Sequence, residues 1–590
     1  MQTSLSKHWL RNLVDSSGVL WNRLISLIFI LISRPGDCRM DVDRRRLRRT
    51  WMTFFGRYGR LLPVQSRTIP VVLAGRDAIV VSATASGKTE AVIAPLIERY
   101  LKEGWGGEGD RGDGCGAGGI VILYISPTKA LVNDMHDRLR GQLDELGVLV
   151  SIKTGDTPRF NPSKSPEVMI TTPESFDSMI CRHPSVFKEV KAVILDEIHL
   201  IDNTYRGDQL RLLLKRLKHV STTDFNVYAL SATIASPEDV GGRYLEDFEV
   251  ITDSDKREID YTLVESAEEL YDCVRKENIR KLLIFCNKRA TVEEFSRECV
   301  DLWGSNRVAV HHGSLSRSIR GESESFMKDA QYGVCVATMT LEIGIDIGDI
   351  DAIVLAEVPW SISSLLQRIG RGSRRMPRNR VFAMYGSADE QMLLERMFHV
   401  AMAGYVEPVD YSHDPSVVVQ QVFSSLYASP GGLTDFHILK LFEEFCSEDE
   451  LRDILSHIVK SEWIGKWQEK WRATTKLMDL GAKGEIHSNI PSNKVVEVID
   501  VTSRQTIGDV QYPVDQIFVL GGRVWLIVRE SYERLYVKPA KGGLATAKFK
   551  SQSSEGAFSY LLPEHIRKPE LERWHTPDLS EITRVAEVLE

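Results

Sequence analysis

The sequence predicts an α/β protein: two tandem parallel-sheet domains, then a helix-and-hairpin domain, then a small β-rich domain. Three observations lead there. First, apolar, β-branched runs ("DAIVVSA", "VILYIS", "VMITT", "AVILDE", "NVYALSAT") alternate with helical patterns over 77–245. Strands without polar alternation are covered on both faces, which is the mark of a parallel sheet flanked by helices. Second, a series of the same kind ("KLLIFC", "VAVHHG", "YGVCVAT", "AIVLAEVP", "RVFAMYG") follows, with the join near 245–260. Third, the texture changes after about 405. Amphipathic helices fill 415–460, and strand–turn–strand patterns begin near 485.

The bulk numbers fit this division. The 590 residues suggest about four domains at roughly 150 residues each. With 74 Lys and Arg against 82 Asp and Glu, the net charge is −8. That excludes a globally positive surface, so any polyanion must meet local basic patches such as "RRRLRR" (44–49) and "RIGRGSRRMPRNR" (368–380). The 8 cysteines contain no C-x-x-C, which argues against a zinc finger or iron–sulfur cluster and for a reducing compartment.

At the N-terminus, "LISLIFILIS" (24–33) is shorter than the ~20 residues a bilayer requires, and no small-x-small cleavage site follows it. It is read as a buried or partner-docking helix rather than a secretory signal, with Met40 as an alternative start of translation. The expectation is a cytoplasmic, nucleoid-associated protein with no membrane span.

The domains are expected at 51–250 and 251–405, after an N-terminal extension of 1–50. Next come a winged-helix domain at 406–480 and a small β-rich domain with a C-terminal tail at 481–590. In "EWIGKWQEKWRAT", Trp463, Trp467 and Trp471 lie four apart. Helical spacing would line them up on one stripe, but the turn character of "IGKWQEK" favours a hairpin. "GWGGEGDRGDGCGAGG" (104–119) reads as a surface loop by composition.

Two stretches of the first domain carry chemistry. "SATASGKT" (82–89) sits between the strand "DAIVVSA" and the helix "KTEAVIAPLIERYL". Such a loop cradles phosphates with its backbone N–H groups: Ser82, Ala83, Thr84, Ala85, Ser86 and Gly87. Lys88 is placed to reach the β- and γ-phosphates, and the Thr89 hydroxyl to bind Mg²⁺. About a hundred residues on, a strand ends in Asp196 and Glu197. Asp196 is expected to hold Mg²⁺ through water, and Glu197 to orient and deprotonate an attacking water.

With these motifs in order, the chain resembles the superfamily 2 DEAD/DEAH-type helicases, closest to the Lhr (large helicase-related) group. The resemblance runs over about 55–390 and more weakly to about 540. It implies two RecA-like domains with ATP and Mg²⁺ held between them. It also implies adenine reading by Gln65, and coupling of hydrolysis to strand movement by His199 of "DEIH" with Ser231 and Thr233 of "SAT". The return of the letters SAT at 82 and 231 is then a coincidence. Backbone grips are implied at Pro127, Thr128 and Lys129 ("SPTKALVNDM") and at Thr172 and Pro173 ("TTPES"). In the second domain they are implied at Asn287, Arg317 and Thr338. Gly344 and Asp346 would face the nucleotide. In "QRIGRGSRR", Gln367, Arg371 and Arg374 would complete the catalytic set, the arginines stabilising charge on the transferred phosphoryl group. "GEIHSNI" (484–490) and "LGGRVW" (520–525) extend the likeness past the core.

Departures set the open questions. Ser82 and Ala85 replace an Ala and a Gly of the usual loop. If position 85 needs positive φ, alanine costs about 1 kcal/mol or more. Gly372 and Ser373 replace an Ala and a Gly. No clear base-stacking aromatic is found in the last domain; Trp525 and Phe549 are the candidates. The reading is an ATP- and Mg²⁺-dependent helicase or translocase on single-stranded DNA, by resemblance 3′→5′, with a family-implied role in repair or recombination. RNA or an RNA–DNA hybrid is the alternative substrate. A nucleic-acid-binding scaffold with an impaired ATPase, resting on Ala85, is a third reading.

Overall fold

The computed structural model describes residues 44–83, 86–102, 119–157, 160–232, 234–253, 258–342, 347–372, 378–408, 411–491, 495–511, 514–531, 533–540, 555–567 and 579–589. The apolar segment 24–33, most of the loop 104–119, Thr84, Ala85, Thr233, Gly344, Asp346, Ser373, Arg374 and Phe549 lie outside them.

The first sheet contains β1 (Asp77–Val81), β2 (Ile122–Ile125), β3 (Val150–Lys153), β4 (Val168–Thr171), β5 (Ala192–Leu195), β6 (Asn226–Ser231) and β7 (Phe248–Thr252). Their order is β3-β4-β2-β5-β6-β1-β7, with every pairing parallel. Both faces are apolar, as the unbroken runs predict: Ala78 and Val80 enter one core, Ile79 and Val81 the other. The order sets the carboxyl ends of β5, β6 and β1 side by side, where an open parallel sheet builds its ligand site.

The second sheet contains β8 (Glu258–Val264), β9 (Lys281–Phe285), β10 (Val308–His311), β11 (Gly333–Ala337), β12 (Ala352–Leu355) and β13 (Arg378–Met384). It is again wholly parallel, ordered β10-β11-β9-β12-β13-β8.

Two smaller modules follow. The helix Ser416–Ala428 is buried along nearly its whole length, packed on the first-domain helices Pro173–Arg182 and Tyr205–Val220. Beyond it lie β14 (Leu433–Thr434), the helices Asp435–Phe442 and Glu448–Lys460, and a hairpin of β15 (Ile464–Trp467) and β16 (Lys470–Ala473). Gln468 and Glu469 at the tip have φ of +48° and +60°, the left-handed pair that a two-residue hairpin needs. The tryptophans therefore go to three places. Trp463 packs on Phe423, and Trp471 Nε1 donates to Asp435 at 2.7 Å. Trp467 stays half exposed over Gly465.

The last sheet is β18 (Thr506–Val510), β17 (Val496–Asp500), β21 (Arg534–Pro539), β20 (Arg523–Ser531) and β19 (Ile517–Leu520), in that order. Its apolar face shares a core with the second domain, with Val498 and Leu535 beside Leu282 and Ile284.

The structure departs from the expected boundaries in three places. Leu47 is fully buried in the first core beside Trp51 and Phe54, so that domain starts before residue 51. β7 carries the first sheet past 250 by pairing with β1. The end of the chain is also split between modules. Ile486, Phe558 and Leu561 join the helical core, while the helix Leu579–Leu589 packs on Ala388–Ala403 of the second domain. Apolar burial, not chain order, assigns these segments.

Candidate functional site

The loop after β1 opens the helix Lys88–Lys102. Gly87 has a φ of +81°, and a Cβ there would lie 2.3 Å from Gln65 Nε2, so only glycine fits. Gln65 is buried, donates to the Gly87 carbonyl at 3.4 Å and accepts from Leu62 N–H at 2.9 Å. The glutamine expected to read a base is thereby tied to the loop expected to meet the phosphates.

Lys88 is buried. Its Nζ donates to the Ser82 and Ser231 carbonyls, both at 2.7 Å, and stands 4.0 Å from Glu197 Oε2. The strand ends that carry Ser82 and Ser231 are thus spatial neighbours. Val81 pairs with Ser231 across β1 and β6, Ser82 N–H donates to the Ser231 carbonyl at 3.2 Å, and one lysine bridges both serines. Thr89 and Asp196 are buried beside them, and Ala83 is exposed.

Burial, then the neighbouring Glu197 charge, pushes the Asp196 carboxyl well above the carboxylate range. Burial pushes Glu197 up as well, but Lys88, His199 and Arg371 outweigh it and hold Glu197 below its ordinary value. Glu197 has a φ of +43°, a left-handed strain of about 1–3 kcal/mol of the kind that clusters at functional sites. Its Oε2 is buried without a hydrogen bond among the described residues, as is Ser86 Oγ. Two adjacent buried carboxylates, an orphaned oxygen, a glycine cradle and a buried lysine fit a polyphosphate with a divalent cation. A divalent cation held there would supply the charge that the Asp196–Glu197 pair lacks.

His199 is pushed down to about 4 by burial. Its Nδ1 accepts from Ala232 N–H at 3.2 Å and lies 3.2 Å from Ser231 Oγ. A backbone N–H can only donate, so the ring is neutral with its proton on Nε2. This links the carboxylate turn to the end of β6.

The second domain faces this site with the helix Ile362–Ile369. Arg371 is buried, and its Nε and Nη2 grip the Glu342 carbonyl at 3.0 and 2.6 Å. It is near enough for its charge to act on both Glu197 and His199. Gln367 Nε2 lies 3.2 Å from Ser363 Oγ within its own helix.

The expected backbone-gripping residues sit at strand ends and helix starts. Thr128 and Thr172 cap their helices, accepting from Leu131 N–H at 3.3 Å and Ser175 N–H at 3.4 Å. Pro173 is the first residue of its helix. Lys129 is exposed and paired with Asp156 at 2.6 Å. The Pro127 carbonyl accepts from Arg206 Nη2, and Arg206 also holds Glu174 two-pronged at 2.6 and 3.2 Å. One arginine so ties both loops together. Thr338 is buried at the end of β11, and Arg317 is exposed at the start of its helix. The loop before Arg317 is strapped by β18: Ser316 N–H donates to Ile507 O, and Asp509 N–H to Ser314 O, both at 2.7 Å.

Two expectations are corrected. The Asn287 side chain is spent inside the domain, donating to Val358 O at 2.8 Å and accepting from Arg368 Nη2 at 2.9 Å; it holds the loop rather than reaching outward. Trp525 is buried, its Nε1 donating to Leu520 O at 2.8 Å, so it is core and stacks on no base.

Sequence reasoning missed Glu342 and Arg368. Arg368 is fully buried and bonded through Nε to Glu342 Oε1 at 2.5 Å. The available signal was its spacing from Arg371: two arginines three apart share a helical face, and here both turn inward to Glu342.

Known proteins resemble this chain over both parallel-sheet domains. Residues 62–240 match the family described as DEAD/DEAH box helicase, and 265–376 match the helicase conserved C-terminal domain. The ATP-dependent helicase Lhr-Core of Sulfolobus acidocaldarius is 28% identical over 572 residues, covering 86% of this chain and 63% of the relative. The Lhr helicase/uracil glycosylase of Escherichia coli is 29% identical over 446 residues, covering 61% and 28%. The chain thus spans less than two thirds of the length of the curated relatives it matches. Among solved structures, helicase MrfA bound to DNA superposes with a TM-score of 0.67 at 20% identity, over 84% of this chain and 73% of that one. Helicase Lhr of Mycobacterium smegmatis bound to ssDNA and AMP-PNP gives 0.64 at 22%, over 75% and 62%. Both parallel-sheet domains are RecA-like.

Proposed function

From the premise that this chain carries a DEAD/DEAH box helicase domain followed by a helicase conserved C-terminal domain, we propose that it is an ATP- and Mg²⁺-dependent helicase or translocase of the Lhr type. Its substrate is single-stranded DNA, moved 3′→5′ in repair or recombination. The observation that carries the reading is the charge cluster of Lys88, Glu197 and Arg371, drawn from two facing domains.

ATP supplies the phosphoryl group and Mg²⁺ the charge that neutralises it. The chain supplies the rest. Lys88 and the Gly87 loop hold the phosphates, while Thr89 and Asp196 hold the cation. Glu197, kept ionised, orients a water and takes its proton. Arg371, with Arg374 beside it in sequence, arrives from the second domain with its geometry set by Glu342. Closure brings the arginines onto the phosphates, and release reopens the cleft. Neutral His199 passes that change to β6.

The domain roles follow from the same proposal. The domain expected at 51–250, whose core runs from Leu47 to β7, binds ATP; the one expected at 251–405 is the second motor half, and 406–480 are a winged helix. Residues 481–590 contain the small β-rich domain. The two solved structures reported above hold DNA at TM-scores of 0.67 and 0.64, against 0.50 for DEAD-box helicase Mss116 bound to ssRNA, which supports DNA ahead of RNA or a hybrid. A cytoplasmic, nucleoid-associated protein is the setting; among the described residues no helix is long and apolar enough to cross a membrane.

The test is steady-state ATPase without nucleic acid, with single-stranded DNA and with single-stranded RNA. We expect stimulation by DNA, and a loss of about 10³-fold or more in Glu197→Gln and Lys88→Ala. Wild-type turnover in either variant overturns the site. Equal stimulation by RNA replaces the substrate.

A further inference from the structure

The loops of the second domain that are proposed to meet the strand follow the carboxyl ends of β9, β10 and β11. At the opposite ends, immediately before the same three strands, stand Arg280, Arg307 and Tyr332. These strands are neighbours in the sheet, so the three side chains converge on one place. A strand of five residues is about 17 Å long, which separates this place from the motor's nucleotide and strand-gripping loops.

A cavity of about 240 Å³ opens there. Its aromatic floor is Tyr271 and Trp303, edge to face with centroids 5.0 Å apart. Tyr332, 45% exposed, stands at its rim with the Arg280 and Arg307 guanidiniums 5.9 and 5.8 Å from its ring centroid. Arg275 lies over the Tyr271 ring at 5.6 Å. None of the three arginines has a carboxylate within ion-pair distance among the described residues. Arg206, Arg216, Arg243, Arg368 and Arg380 all do.

Three guanidiniums with no carboxylate partner among the described residues, gathered around one aromatic-floored cavity in a chain of net charge −8, repel one another. Arginine is also the residue that binds phosphate two-pronged and stacks on flat rings. The complement of this surface is a flat, apolar ring with an anion attached. A cavity below the roughly 300 Å³ typical of drug-sized ligands holds one such unit and no more.

We propose that this cavity is a second ligand site that takes a single nucleotide unit: a base against Tyr332 and the aromatic floor, its 5′-phosphate on Arg275, Arg280 and Arg307. The unit is either a free mononucleotide or the 5′-phosphorylated end of a strand; both present the same chemistry. The site is independent of the ATP cleft and stands or falls without it.

The test uses the full chain with the cleft saturated by a non-hydrolysable ATP analogue. Three probes are titrated calorimetrically: thymidine 5′-monophosphate, 5′-phosphorylated dT10 and unphosphorylated dT10. The variants are Tyr332→Ala and the charge-reversed Arg280→Glu/Arg307→Glu, all exposed positions whose folding is checked by melting temperature. We expect one phosphate-dependent site, weakened about tenfold or more by either variant, with ATP turnover unchanged. Binding of the mononucleotide assigns a soluble ligand; preference for phosphorylated dT10 assigns a strand end. Three results overturn the proposal: no phosphate-dependent binding by either probe, binding that both variants leave intact, or inorganic phosphate competing as well as the mononucleotide, which would leave the rings without a role.

Discussion

Each parallel-sheet domain carries an appended module, and each module is fastened by one fully buried carboxylate, in opposite ways. Asp177 fastens the helical module to the first domain with side chains. Arg216 Nη1, Gln209 Nε2, Gln420 Nε2 and Gln421 Nε2 reach it at 3.3, 3.0, 2.9 and 2.6 Å, with Ser424 Oγ and His487 Nδ1 completing the shell. Glu293 fastens the β-rich module to the second domain largely with backbone. Gly521 and Gly522 N–H donate at 2.6 and 2.7 Å, and His312 Nε2 lies at 2.8 Å. The side-chain joint concentrates charge: Asp177 and His487, with Cys181, are arranged as a metal site would be, yet Arg216 Nη2 sits 3.1 Å from Cys181 Sγ and already supplies the positive charge. The backbone joint spends no side-chain entropy on its two donors, because two rigid left-handed glycines present them. A buried carboxylate gains specificity from either, but only the first leaves an arginine, Arg216, behind when it is removed.

That asymmetry sets the largest expected effect. Asp177→Ala leaves Arg216 and His487 buried without their acid, a loss of about 3–5 kcal/mol. Asp177→Asn keeps the shape, removes the charge and should fall between. Hydrogen exchange along Ser416–Ala428 is the readout. Protection unchanged in Asp177→Ala would show that apolar packing alone holds the module.

The side-chain joint also predicts a pH dependence. Burial disfavours the His487 cation, but Asp177 and Cys181 outweigh it and raise the ring to about 9. A group raised above its unfolded value of about 6.5 stabilises fully below that pH and loses its contribution as pH climbs to 9. Asp177 is held far below its ordinary value despite burial, by His487 and Arg216, so its share is lost only in acid, below about pH 4. The helical module should therefore be firmest between about pH 4 and 6.5 and loosen toward pH 9. Melting curves of the wild type and His487→Gln should converge above pH 9; parallel curves would remove His487 from the joint.

What the sequence showed and hid follows from the same contrast. The loop proposed to hold phosphates stood out because its pattern is local: Gly87, Lys88 and Thr89 are consecutive, and strand, loop and helix announce themselves within twenty letters. The carboxylates Asp196 and Glu197 were legible as the end of one strand. Asp177 was not, because its partners lie up to 310 residues away, and even His487, inside "GEIHSNI", carries nothing local that points to it. Arg206, Glu342 and Glu293 were hidden for that reason too. "LGGRVW" stood out in sequence, but its two glycines explain themselves only when Glu293, more than two hundred residues earlier, is brought to their N–H groups. The split end of the chain was hidden because Ile486 and Phe558 are isolated apolar residues whose core is built by others.

The glycine joint yields the smaller effects. Glu293→Gln replaces one acceptor oxygen by a donor and faces an N–H with an N–H, a loss of about 1–3 kcal/mol seen as faster exchange in β19 and β20. The glycines themselves can be separated. Both have positive φ, +66° at Gly521 and +68° at Gly522. A Cβ at Gly521 would meet nothing closer than Leu315 Cδ2 at 3.4 Å, so Gly521→Ala bears only the left-handed strain, about 1–2 kcal/mol. A Cβ at Gly522 would press to 2.9 Å from the Val310 methyl in the shared core, so Gly522→Ala adds a clash to the same strain. Melting temperatures should fall in both variants, further in Gly522→Ala. Restoring the room with Val310→Ala should bring Gly522→Ala toward Gly521→Ala on that background. Equal melting temperatures for the two glycine variants would mean that conformation alone, and not the close approach to the second domain, requires glycine at this joint.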